Sequence, residues 1–359
     1  MPVADQLSAE PGDPRAEPSA RTEASVVART ARRTAVVLIG LGLLLVAVAL
    51  SLSLGSNPIP IGRAWHLLLS GDDSFASTVL REQRLPRTAV AVAVGAALAL
   101  AGSVMQSLTR NPLADPGILG INAGASLAVV LAVAIAGTSG LWFYLWFAFL
   151  GAGAAAVGVY LLAGTGRQTA TPARLALAGV AVSAALAALT QTVILADQEA
   201  YNEFRYWVAG SLEGRGWSVL WAVLPFLGAG AVIALAIGPA LNALSLGDET
   251  GRALGVRLTT ARGLAMASVT LLCGGATAAV GPIGFVGLAV PMLARALVGH
   301  DQRWVAAVSL ILGPTWVLLA DTLGRRIVPH QEIQVGVVAA VIGAPVFVAV
   351  VRRRKVPAL

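Results

Sequence analysis

Arg84 and Arg87 flank Leu85-Pro86 directly ahead of an apolar, charge-free run that ends in the polar turn Arg110-Asn111-Pro112. A guanidinium is a planar fork of donors that pairs bidentately with carboxylates. Two of them at the rim of an apolar helix suit the gripping of an acidic partner. The competing assignment is contact with lipid headgroups, toward which long arginine side chains snorkel. Residues for other chemistry are missing. His66, His300 and His330 fall between apolar runs, and Arg295 and Asp321 stand only at run ends. Ion-coupled carriers usually keep carboxylates or bases at membrane depth. An intramembrane protease or metalloenzyme needs such groups within reach of one another. The only lysine is Lys355, which follows arginines, so no G-x-x-x-x-G-K-[ST] phosphate loop exists. With Cys273 as its single cysteine, the chain forms no internal disulfide and no Cys-based metal site.

The elements that must position the arginines are membrane helices. Of 359 residues, 57% are hydrophobic and only 12% charged, against roughly 25% charged in a soluble domain. Apolar runs of about 20 residues, the length that spans a ~30 Å hydrocarbon core, recur throughout. Ten are predicted, near 35–54, 88–106, 118–137, 141–163, 175–196, 218–238, 263–280, 283–294, 305–320 and 333–351. The eighth is short and follows Gly281-Pro282, which reads as a tilted or partly re-entrant segment. Gly/Ala-rich stretches such as 150–158 and 281–287 let helices approach closely in lipid.

Charge placement gives the topology. With both termini cytoplasmic, 17 of the 25 basic residues fall on the inner side, as the positive-inside rule requires. The net charge of +7 therefore reflects loop arginines, not nucleic-acid binding. The domain reading is a disordered cytoplasmic tail at 1–34, a ten-helix domain at 35–351 and a basic cytoplasmic tail at 352–359.

The inner loop 239–262 holds a second candidate site. Ser245 and Asp248 are spaced as a capping box, and a short helix over 248–254 would stop at Gly255. Thr250, Ala253 and Leu254 would form one face, and Asp248, Glu249 and Arg252 the other. Such a helix suits docking into a partner's groove; the competing assignment is a solvated connector.

Several blocks, in this order and spacing, resemble one family. They are Arg84-Leu85-Pro86-Arg87, GAALALAG (95–102) with Gln106, NPLADPGILG (111–120) with Gly124, LSLGDETGRALGV (244–256), GPIGFVGLAVP (281–291) with Arg295, Asp321 with Arg325, and VGVVAAVIGAPVF (335–347). The chain resembles FecCD-type permeases, the membrane subunits of bacterial ABC importers for iron-siderophores, haem and cobalamin. The resemblance covers about residues 35–351.

It implies an all-α, type II importer fold in the bacterial cytoplasmic membrane, dimerised with an identical or paralogous permease. It also implies two cytoplasmic ATP-binding subunits, which would use the ATP, and an extracytoplasmic substrate-binding lipoprotein. No cofactor would be bound by this chain. By the same resemblance Arg84, Arg87 and Arg325 are docking points for the lipoprotein's acidic residues, and 248–255 (Asp248, Glu249, Arg252, Ala253, Leu254, Gly255) is the ATPase coupling helix. Gln106, Asn111, Pro112, Pro116, Gly120, Gly284, Gly287, Pro291 and Arg295 are motif or gate candidates, and the loop 164–174 lies at an inner gate. Two positions depart from the family pattern: Met292 follows Pro291 where His is usual, and Glu332-Ile333-Gln334 replaces Glu-Leu-Pro. The implied cargo is a ferric-siderophore. Haem or cobalamin is the alternative within the family, and a secondary carrier or channel the alternative outside it.

Overall fold

The computed structural model describes residues 17–55, 58–70, 72–137, 140–164, 171–328 and 331–353, and among these no strand occurs. Helix α1 (Glu17–Ser53) leads through α2 (Ile61–Leu69), α3 (Phe75–Thr78) and a π-helical stretch, Val79–Arg84, into α4 (Leu85–Thr109). A 3-10 turn, Pro116–Leu119, precedes α5 (Ile121–Ala136), α6 (Gly140–Ala163) and α7 (Pro172–Ala196). Helix α8 (Gln198–Val208) then joins α7 to α9 (Trp217–Ala236). The short α10 (Gly238–Ser245) and α11 (Asp248–Ala253) precede α12 (Leu258–Val280), α13 (Val286–Val298), α14 (Gln302–Ile327) and α15 (Val335–Arg353).

Among the described residues, seven helices are long and apolar enough to cross a membrane, and three apolar helices, in α5, α13 and α15, are shorter. These ten coincide in order with the ten predicted runs. Helix α1 begins at Glu17, well inside the segment that composition marks as a disordered tail. Its Ala, Arg and Glu residues are good helix formers and continue the apolar helix without a breaker. Arg32 Nη2 and Arg33 Nε donate to the carbonyls of Ala296 and Val298, each at 3.2 Å, so this part of α1 caps the end of α13. Residues 1–16 and 354–359 lie outside the described residues, as do 165–170 of the proposed gate loop.

Helix α4 is the axis of the bundle. It is buried along most of its length and packs against α14, α12, α13 and α9. Its small residues make that possible. A Cβ on Gly102 would overlap the Gly287 carbonyl of α13, so these two backbones are in direct contact. By contrast α1, α6, α7 and α9 expose leucines, valines and tryptophans on their outer faces, as helices facing lipid or another membrane subunit do.

Two segments inside the bundle are not α-helical. After Arg110, which closes α4 with a left-handed φ of 51°, residues 111–120 run into the bundle instead of over its surface. Pro112 and Pro116 keep the α-helix from continuing here, and only the 3-10 turn 116–119 forms. Ile118 reaches Gly179 in α7, Pro116 packs on Gly287, and Thr277 of α12 donates to Asn122 at 3.0 Å. This is why α5 is short: it starts within the bundle. From the opposite end, residues 281–285 descend from α12 to Phe285 (φ 67°), where the half-length α13 begins. The first broken segment meets the start of α13, where Pro116 packs on Gly287. Non-helical backbone at membrane depth is tolerated only where protein or a cavity shields it.

Candidate functional site: an arginine rim, a polar core and a loop helix

At the end of the bundle where α4 begins, Arg84, Arg87, Arg215 and Arg325 line one cavity of about 340 Å³, together with Glu82, Glu213 and Glu332. Arg84 is buried at 5% exposure and its Nη1 donates to the carbonyls of Leu52 (2.8 Å) and Ser53 (3.0 Å). Arg325 is buried at 7%; its terminal nitrogens donate to the carbonyls of Ser51 and Leu54 and pair with Asp321 at 3.1 Å. Together the two arginines close the last carbonyls of α1, which a helix end leaves without partners, and their charge opposes its C-terminal dipole. Arg87 pairs with Asp321 at 2.7 Å and with Glu332 at 2.8 Å. The three arginines singled out from the sequence therefore converge on one cavity. Each also ties helices of its own chain together, a role no sequence spacing reveals.

A polar network crosses the other half of the bundle. Arg295 of α13, 6% exposed, donates to the side chains of Gln106 and Ser107 and to the Ser103 carbonyl, all on α4. Gln106 passes the chain to the Leu288 carbonyl at 3.0 Å. Ser107 donates to Gln302 at 2.8 Å, and the backbone N–H of Gln302 donates to Asn242 of α10 at the same distance. Buried polar groups are stable only when so satisfied. Gln106, Gly287, Pro291 and Arg295 thus sit together in the core, and Pro116 joins them through Gly287. Asn111 is exposed and accepts from the Leu113 N–H at 2.9 Å; the half-buried Pro112 follows it. Gly120 turns the chain into α5 with φ 73°, and Gly284 has open space where a Cβ would stand. Met292 is buried in α13, and Gln334 lines a second rim cavity. Sequence reasoning missed Asn242, Gln302 and Asp115. Asp115 lies in the segment that enters the bundle, inside the family-like block 111–120, where it caps the 3-10 turn by accepting from the Gly117 N–H.

At the opposite end from the arginine cavity lies the loop helix α11. Gly255 takes φ 82°, its N–H donates to the Arg252 carbonyl, and the Val256 N–H donates to that of Gly251, both as the predicted C-terminal stop requires. The predicted capping box is absent. Gly247, with φ 113°, occupies the N-cap, and the Ser245 hydroxyl donates instead to the Asn242 carbonyl. Ser245 cannot cap α11 because it still belongs to α10, which ends there. Asp248 is half-buried, apart from Glu249 and Arg252, which the sequence placed on the same face and which are exposed. It pairs with Arg262 at 2.7 Å and with Arg110, whose Nε also holds the Leu244 carbonyl at 2.8 Å. This clamps α11 to the end of α4 and the start of α12. Leu246, Glu249, Thr250, Arg252, Ala253, Leu254 and Gly255 are exposed.

Burial alone would raise the Asp248 carboxyl, but hydrogen bonds from Arg262 and Arg110 outweigh it and hold the group below its ordinary range. Its ionised form is thus favoured in the folded chain. The stabilisation is complete above the unfolded-state value of about 3.9 and is lost as pH falls through the lower folded value. In detergent, the melting temperature of the parent is expected to fall more steeply than that of Asp248→Asn below about pH 4. Parallel curves would show that the clamp carries no charge-dependent stability.

An all-helical bundle with a polar rim cavity, shielded broken segments and an exposed loop helix has the build of a membrane permease subunit. The chain belongs to the FecCD transport family, whose model matches residues 43–353. It is 46% identical over 301 residues to the ferric enterobactin transport system permease FepD of Escherichia coli, covering 84% of this chain and 90% of that protein. It is 41% identical over 300 residues to the Fe(3+) dicitrate transport system permease FecC of the same species, covering 83% and 90%. A metal-chelate type ABC transporter solved in an inward-facing conformation superposes with a TM-score of 0.80 at 28% identity, covering 89% of this chain and all of that one.

Proposed function

We propose that this chain is the permease subunit of a bacterial ABC importer that takes up ferric siderophores. The observation that carries the cargo is the identity to FepD along nearly the whole chain. The geometry supports the division of labour. No phosphate-binding loop is present in the sequence, so ATP is hydrolysed by two separate cytoplasmic subunits that receive α11. The excess of arginine on the α11 side makes that side, and both termini, cytoplasmic. The arginine cavity is then extracytoplasmic and faces a substrate-binding lipoprotein, with Arg84, Arg87 and Arg325 as part of its docking surface. The exposed outer faces of the bundle serve lipid and a second permease, identical or paralogous. The gate is formed where the broken segment 111–120 meets the start of α13, at Pro116 and Gly287.

Deleting the gene is expected to abolish uptake of radiolabelled ferric enterobactin or of another ferric siderophore, and a plasmid copy to restore it. Uptake that is unchanged for every iron chelate tested overturns the cargo assignment, and selective loss of haem or cobalamin uptake replaces it. Counterflow by the purified chain without any ATPase overturns the ABC mechanism.

A further inference from the structure

Arg215 stands apart from the other three guanidinium groups of the rim cavity. Arg84, Arg87 and Arg325 all donate from terminal nitrogens to carbonyls or carboxylates of this chain. The Arg215 side chain makes one long hydrogen bond, from Nε to the Ser211 carbonyl at 3.4 Å. Its Nη1 is buried and has no partner, and among the described residues no carboxylate pairs with it. Burial without a counter-charge pulls the guanidinium down to about 10. A half-buried cation with one desolvated, unpaired nitrogen gains from any anion that reaches it.

The position is open to a partner and held rigidly. Arg215 lies on the turn 209–216 between α8 and α9, and lines both the 340 Å³ cavity and a neighbouring one of about 300 Å³. The Ser211 N–H donates to the Val280 carbonyl at 2.8 Å, and the Gly336 N–H to the Gly210 carbonyl at 3.2 Å. The turn is thereby pinned to the end of α12 and the start of α15. Glu82 and Glu213 also line the first cavity, but both are exposed, where water and salt screen their charge.

We infer that Arg215 is a docking residue, the cation that receives an acidic side chain of the extracytoplasmic binding lipoprotein inserted into the rim cavity. The inference rests on the proposed function and sharpens it. An incoming aspartate or glutamate would give Nη1 its missing acceptor and the guanidinium its counter-charge. Because the turn is fixed beforehand, little ordering cost accompanies the pairing.

The test uses the full transport complex in nanodiscs and, as probe, the siderophore-binding lipoprotein whose deletion abolishes uptake through this chain. Docking affinity is measured for the parent, Arg215→Lys, Arg215→Glu and Arg205→Glu, the last an exposed arginine of α8 outside the first cavity. Truncating one member of a desolvated charge pair typically costs enough to weaken binding by roughly tenfold or more. Arg215→Glu is expected to weaken docking at least about tenfold, Arg215→Lys to retain most of it, and Arg205→Glu to change it little. Reversing one acidic residue of the lipoprotein to lysine should restore docking to Arg215→Glu. Parent-like docking by Arg215→Glu overturns the inference, as does equal weakening by Arg205→Glu. Full competition by free glutamate with no lipoprotein charge able to rescue Arg215→Glu makes this a free-anion site and also overturns it. A parent complex that does not dock the lipoprotein overturns the proposed function itself, and with it the inference.

Discussion

Gly102→Ala is expected to remove most folded permease from detergent extracts, while Gly158→Ala leaves the yield unchanged. Both changes add one methyl group to an apolar helix, and in a helix interior alanine is ordinarily favoured over glycine by about 0.5–1 kcal/mol. The surroundings reverse the sign at one site only. The new Cβ at Gly102 would overlap the Gly287 carbonyl oxygen and press on the Gly287 Cα, whereas at Gly158 nothing lies within 4 Å. The obstacle is backbone, so no rotamer change relieves it. Helices α4 and α13 would have to separate, which strains the Arg295–Gln106 network between them and disturbs the Pro116 contact at Gly287. Overpacking a well-fitted core typically costs about 1–3 kcal/mol, and a backbone clash belongs at or above the top of that range. Size-exclusion recovery after graded heating measures it. Equal recovery for the two variants would mean that α4 and α13 are not in direct backbone contact.

Leu254→Asp is expected to cut siderophore uptake at least about tenfold, in line with an interface anchor worth about 2 kcal/mol or more, without lowering the melting temperature. Leu254 is 62% exposed in the single chain, so its fold loses little by the change. It lies on the exposed side of α11, next to the equally exposed Ala253 and Thr250. If that side seats in an ATPase groove, a carboxylate there is left desolvated and unpaired. Asp248, which faces the other way, gives the contrast. Asp248→Asn is expected to lower stability through the Arg110 and Arg262 clamp as well as transport. Uptake and melting temperature, measured on both variants, separate the two roles. Normal uptake by Leu254→Asp would make α11 a solvated connector.

Helix α11 shows how far local pattern reaches. Its extent and its stop at Gly255 were legible, because a left-handed C-terminal turn depends on a glycine at one position. Its N-cap was not, because the Ser245-to-Asp248 spacing also fits a serine that ends the previous helix. The rim shows the same division. Arg84, Arg87 and Arg325 were visible as basic residues where charge is disfavoured. That Arg84 and Arg325 cap α1 was invisible, since the accepting carbonyls of residues 51–54 belong to a helix more than thirty residues earlier. Arg215 was only one more loop arginine, and what singles it out is a missing partner.

The sequence by itself determined an all-helical membrane chain, the order of its ten apolar helices and its family, because lipid forces apolar runs of one length and the family motifs keep a fixed order. Tertiary structure alone decided that residues 111–120 enter the bundle beside the descending 281–285. The sequence marks 111–120 as a proline-containing family block and the segment after Gly281-Pro282 as partly re-entrant, but the packing that holds them at depth, Ile118 on Gly179, Pro116 on Gly287 and Phe285 on Gly343, comes from distant residues. It also decided which arginines are bound to their own chain and which one is open to a partner. Hydrogen bonds between helices hundreds of residues apart leave no trace in local spacing.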